Sequence, residues 1–126
     1  MSREYVLKES DFLVSQTDLE GMILFANGDF CTRTGYTLDE LIGKPHNIVR
    51  HPEMPEAVFS DLWDTLKSAQ PWKGYLKNRT KDGGYYWAYA MVYPMENTNG
   101  EKSGYISCRK KPKPEEIKAA MQLYRM

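Results

Sequence analysis

The sequence predicts an α+β domain, and three observations carry the prediction. Short β-favouring runs open the chain at 13–17 and 22–27, and helix caps with one apolar stripe of helical period fill the middle. Aromatic and β-branched runs separated by turn residues fill the remainder. With 126 residues the chain has the length of one domain, able to bury about two thirds of its unfolded surface in one core.

The elements follow in order. LVSQT (13–17) and MILFAN (22–27) flank DLEG, whose Asp18 and Gly21 suit a tight reversal, so the pair predicts a hairpin. Asn27 then caps a helix of about two turns, with Asp29 in its first turn and Gly35 at its left-handed end. Thr37 and Glu40 fit a capping box ahead of Leu41 and Ile42, and that second helix stops near Gly43. Pro55 suits a first helical position, Val58, Phe59, Leu62, Trp63 and Leu66 recur at helical spacing, and Pro71 ends the element. WKGYLKNR (72–79), YYWAYAMVYP (85–94) and SGYISCRK (103–110) read as three antiparallel strands in a meander. The tail places Ile117, Ala120, Met121 and Tyr124 on one helical face, as a connecting helix cut off in mid-course would.

Composition narrows the function classes. The formal net charge is zero and charges are spread along the chain, so nothing asks for nucleic acid. No apolar run approaches the ~20 residues that cross a bilayer, and MSREYVLKES lacks the apolar core of a signal peptide. The expectation is a cytoplasmic domain that does not itself insert into a membrane. Cys31 and Cys108 have no metal-ligand or redox-motif spacing and read as buried free thiols. There is no Ser/His/Asp set, P-loop or dinucleotide fingerprint, so no catalytic residue, metal ligand or enzymatic activity is assigned.

The order of elements, with NGDFCTRTGYTLDELIGKPHNIVRHPEMP leading into KNRTKDGGYYWAYAMVYPM, resembles the PAS sensory domain over residues 10–112. The segment PHNIVRHPEMP, the helix bearing Trp63 and the run from Pro71 to Trp87 look more narrowly like the PAS domain of bacterial aerotaxis receptors. Residues 1–9 are then an N-terminal cap segment and 113–126 the connecting helix. The resemblance implies a five-stranded antiparallel sheet in the order 2-1-5-4-3, with helices packed over one face and a ligand chamber between. It also implies non-covalent FAD in that chamber, redox or oxygen sensing, and output through a HAMP segment to a chemotaxis signalling module of the same receptor. The domain would then be the soluble N-terminal part of a membrane-anchored protein, and its aromatic outer sheet face a surface for a PAS homodimer or a partner.

With a flavin implied, residues can be matched to its parts. Arg50 offers a fixed cationic fork for phosphate oxygens, and His51 a donor beside the backbone N–H groups near Pro55. The alternative is that Arg50 pairs with Glu53 or Asp39 and that His51 and His46 cap loop carbonyls. His46, beside Pro45, either contacts the cofactor or braces the loop. Alternation places Asn78 on one face with Leu76 and Gly74, pointing inward, where its amide can meet the flavin pyrimidine edge. Asn27 is a helix cap or a cofactor contact; Trp63 and Trp72 lie against the flavin or in the core. A flavin–cysteine adduct is not expected, since HNIVRHP lacks a cysteine where light-sensing relatives carry one. A haem-binding gas sensor and a cofactor-free dimerisation module remain as alternative functions.

Overall fold

The computed structural model describes residues 3–126. Strand β1 (Glu4–Tyr5) is followed by the hairpin of β2 (Leu13–Thr17) and β3 (Ile23–Ala26). Asp18 closes that hairpin: its carboxylate accepts from the Glu20 and Met22 N–H groups while Gly21 supplies the positive φ. Helix α1 (Gly28–Thr34) is capped by Asn27 and stopped by a left-handed Gly35, as its sequence dictates. Helix α2 (Leu38–Leu41) begins with the complete Thr37–Glu40 capping box and ends at Leu41, short of Gly43.

A 3-10 turn (His46–Val49) leads to α3 (Glu56–Lys67), which buries Leu62 and Leu66. Pro55 is the N-cap of α3 and not its first helical residue, and the helix stops before Pro71 is reached. The stop is at Lys67, where Ser68 and Ala69 bend back onto helix carbonyls and Ala69 takes the left-handed conformation. Strands β4 (Trp72–Arg79), β5 (Tyr85–Glu96) and β6 (Lys102–Lys110) form the meander, and α4 (Pro114–Tyr124) ends the described chain.

The long strands lie in the order β3-β2-β6-β5-β4, all antiparallel. Counted without β1 this is the expected 2-1-5-4-3. The expectation of five purely antiparallel strands needs one correction, because β1 adds in parallel to β5 opposite Tyr85 and Tyr86. It can do so because β6 leaves β5 at Tyr89, so the edge beside Tyr85 and Tyr86 is otherwise unpaired. Leu7, just beyond β1, is 2% exposed and packs with the central core, so the N-terminal segment is part of the same packed unit.

Alternation divides the sheet into two faces. Leu13, Ser15, Thr17, Leu76, Asn78, Tyr86, Ala88, Ala90, Val92, Tyr105, Ser107 and Arg109 point toward the helices, and all are buried. On the outer face α4 folds back over β4 and β5: Tyr124 stacks on Trp87, its hydroxyl donates to the Tyr75 carbonyl, and Ala120 is buried. Part of the aromatic outer face is therefore covered by the chain itself, while Phe25 and Tyr93 stay exposed.

Candidate ligand chamber

A chamber of about 70 Å³ lies between α3 and the sheet, walled by Leu62, Leu66, Leu76, Val92, Trp63 and Tyr105. Its polar lining is Thr17, His46, Ser107 and Arg109. Helical period brings the α3 residues to this space, and strand alternation brings those of β4, β5 and β6.

Arg109 dominates the polar end. It is 2% exposed, and among the described residues no carboxylate lies within ion-pair distance of it. Its guanidinium spends one nitrogen on Ser15 Oγ (3.3 Å) and one on His46 Nε2 (3.0 Å), and its plane lies 5.3 Å from the Phe30 ring. The Arg109 Nε and the Ser107 Oγ are buried without a hydrogen-bond partner. A buried arginine stays charged at any ordinary pH, so a missing counter-charge and orphaned donors are costly.

His46 completes the group. Burial, and then the adjacent Arg109 charge, lower its pKa to about 3, so the ring is neutral. Since Arg109 donates to Nε2, that nitrogen is the acceptor and the proton sits on Nδ1. The Ser15 hydroxyl, 2.9 Å away, donates to the same Nε2 while accepting from Arg109.

Asn78 is inward and 4% exposed, the next residue after Leu76 on the inner face of β4, with Nδ2 3.4 Å from the Tyr86 hydroxyl. Trp63 stands at the chamber mouth, 36% exposed, edge-on to Tyr105 at 5.4 Å and over Gly21. Arg50 has no carboxylate partner among the described residues. It lies over the Phe59 ring at 3.8 Å, in an open groove of about 500 Å³ that also reaches Trp63 and Lys67.

The remaining expected residues sit elsewhere. His51 packs edge-on to Tyr85 on the outer side, its Nδ1 accepting from the Glu53 N–H, and burial followed by the Lys77 charge lowers its pKa. Asn27 spends its amide oxygen and one amide N–H on the fold, accepting from the Val14 and Phe30 N–H groups and donating to the Phe12 carbonyl. Trp72 is core: it donates to Asp61 and its indole lies where a Cβ on Gly74 would collide at 2.5 Å. The HNIVRHPEMP loop runs along the free edge of β4, bridging at Arg50 and Asn78, with Arg79 donating to the Ile48 carbonyl and Lys77 paired with Glu53.

Sequence reading missed Arg109, Ser15, Ser107 and Tyr86. The signal for Arg109 was its alternation with Tyr105 and Ser107, masked by the habit of placing an arginine outward.

Comparison with known proteins agrees with this architecture. A family model described as the PAS fold matches residues 23–109. The chain belongs to the PAS family. The aerotaxis receptor of Escherichia coli K12 is 49% identical to this PAS domain over 119 residues, which is 94% of this chain and 23% of that protein. The nitrogen fixation regulatory protein of Klebsiella oxytoca is 30% identical over 105 residues, 83% of this chain and 21% of that protein. A solved PAS domain of a protein from Colwellia psychrerythraea superposes with a TM-score of 0.73 at 26% identity, covering 80% of this chain and 86% of that one. The PAS domain thus spans less than a quarter of the length of these curated relatives. No helix among its described residues is long and apolar enough to cross a membrane.

Proposed function

We propose that this PAS domain holds FAD non-covalently in the chamber and reports the flavin's redox state to a chemotaxis signalling module of the same receptor. The observation that carries the reading is the buried Arg109 with no carboxylate in ion-pair reach among the described residues and with unpaired donors beside it. A flavin ring supplies carbonyl oxygens and nitrogens for those donors, and a centre that exchanges electrons and accepts charge. The apolar walls fit its faces and the polar end fits its edge.

Each side chain then has a task. Arg109 and Ser107 donate to the polar edge, His46 orients Arg109, and Asn78 meets the ring from β4. The chamber's 70 Å³ holds about two waters, so a three-ring ligand requires a wall to move. Trp63, 36% exposed at the chamber mouth, is the wall this reading requires to swing. Arg50 meets the phosphates in the groove outside it. His51 acts indirectly, by holding the loop that presents Arg50. The domain works in the cytoplasm, outside the membrane that anchors the receptor, and passes its output through a HAMP segment.

The test is the visible spectrum of freshly purified protein before and after dithionite, with the heat-released ligand identified by chromatography. A bleachable flavin spectrum and released FAD support the reading. A Soret band assigns haem instead, and a colourless, folded protein that takes up no added FAD assigns a ligand-free interaction module.

A further inference from the structure

The polar end of the chamber holds one fixed charge among neutral groups. Among the described residues that line it, Arg109 is the one charged side chain, 2% exposed, with Ser107 and Thr17 each 7% exposed beside it. Its two Nη groups are spent on Ser15 and His46, and the Ser15 hydroxyl and the His46 Nε2 also meet each other. That network leaves over the Arg109 Nε–H and the Ser107 hydroxyl, both buried and without a partner. An uncharged ring can answer those donors, but it does not balance the charge.

The space itself narrows what would answer both. One cation with neutral neighbours is balanced by one negative charge, and a dianion would leave a second charge buried and unpaired. Two separate donors ask for two acceptor oxygens, which a planar oxyanion offers to a guanidinium and a hydroxyl together. A volume of about 70 Å³, the room of about two waters, admits about three or four heavy atoms. Leu62, Leu66 and Val92 keep the local dielectric low, which strengthens the attraction to Arg109. The His46 lone pair at Nε2 already receives two donors, so it does not repel the guest.

We propose that the ligand-free domain seats a small monovalent oxyanion, of the formate, nitrate or bicarbonate class, against Arg109 and Ser107, and that a ring entering the chamber displaces it. Only the displacement rests on the flavin reading; the seat rests on the unpaired charge and donors. Such an anion enters without movement of a wall, whereas the ring needs Trp63 to swing. Its concentration then sets how readily the ring is taken up, by mass action at shared donors.

The test uses the whole domain freed of bound ligand, in chloride-free buffer, with isotope-labelled arginine. The Arg109 Nε–H resonance is identified by its loss in Arg109→Met or Arg109→Lys. Sodium formate and sodium nitrate should each shift it saturably, while sodium gluconate at equal ionic strength, a monocarboxylate too large for the chamber, should not. Ser107→Ala should weaken formate binding about tenfold, the loss of one hydrogen bond to a charged group. Formate at about ten times its own dissociation constant should lower the apparent FAD affinity about tenfold. A resonance that formate and nitrate leave unmoved, or that gluconate moves equally, overturns the seat, and so does an unchanged formate affinity in Ser107→Ala. A domain that folds only with FAD bound overturns it too. Formate binding without any FAD uptake overturns the flavin reading and leaves the seat standing; formate and FAD that bind together without competing overturn the displacement.

Discussion

Lys77 and Arg109 are cations on strands of one sheet, and the fold treats them in opposite ways. Lys77 points outward, pairs with Glu53 and lies over the Tyr85 ring, so its charge is met by the loop it helps to hold. Arg109 points inward, is nearly fully buried and, among the described residues, has only a serine and a neutral histidine as side-chain hydrogen-bond partners. A cation satisfied by the fold belongs to the scaffold, whereas a buried one left without counter-charge marks where a ligand is needed.

The largest way to break this contrast is to remove the floor under Arg109. Phe30 is fully buried, with Arg109 over its ring and His46 at its edge. Phe30→Ala should cost about 3–5 kcal/mol in urea denaturation and abolish FAD uptake, with the midpoint and slope read together.

The next is pH. The folded pKa of His46, about 3, lies below its ordinary value, so the unfolded chain binds the extra proton. Stability is then full above the unfolded value near 6.5 and falls as pH drops toward 3, by at most about 1.4 kcal/mol per pH unit from this group. Between pH 6.5 and 5, above the carboxylate range, His46→Gln should flatten the profile of ligand-free protein more than His51→Gln does. His51 is also lowered, but it is less enclosed and Glu53 opposes the shift.

The smallest expected effect is at the other cation. Lys77→Met should leave FAD affinity within about twofold, since its partner Glu53 is largely solvated and Lys77 faces away from the chamber. A tenfold loss of affinity there would erase the contrast between the two cations.

Much of the fold was legible because its cues are local. The Asn27 cap, the Thr37–Glu40 box, the Gly35 stop and the WKGYLKNR strand each need only a few neighbouring residues, and all are where the sequence places them. The inward turn of Asn78 followed from alternation alone. What was not legible depends on partners distant in sequence. The parallel pairing of β1 exists because β6 ends opposite Tyr89, and the outer-face packing of α4 depends on Trp87 and Tyr75. His51 and His46 look alike in the loop, yet one turns to Tyr85 and the other to Arg109, a distinction that rests on β4 and β6. Arg109 itself reads as a surface arginine until Ser15 and His46 are placed around it.

The most direct test of the central claim is Arg109→Met, measured for urea stability without ligand and for FAD affinity by titration. If the ligand supplies the acceptors that Arg109 lacks, the ligand-free domain should be at least as stable as wild type, because an unpaired buried charge has been replaced by an apolar chain, together with at least a tenfold loss of FAD affinity. A destabilised ligand-free domain with unchanged FAD affinity would contradict it, and would make Arg109 a strut of the fold.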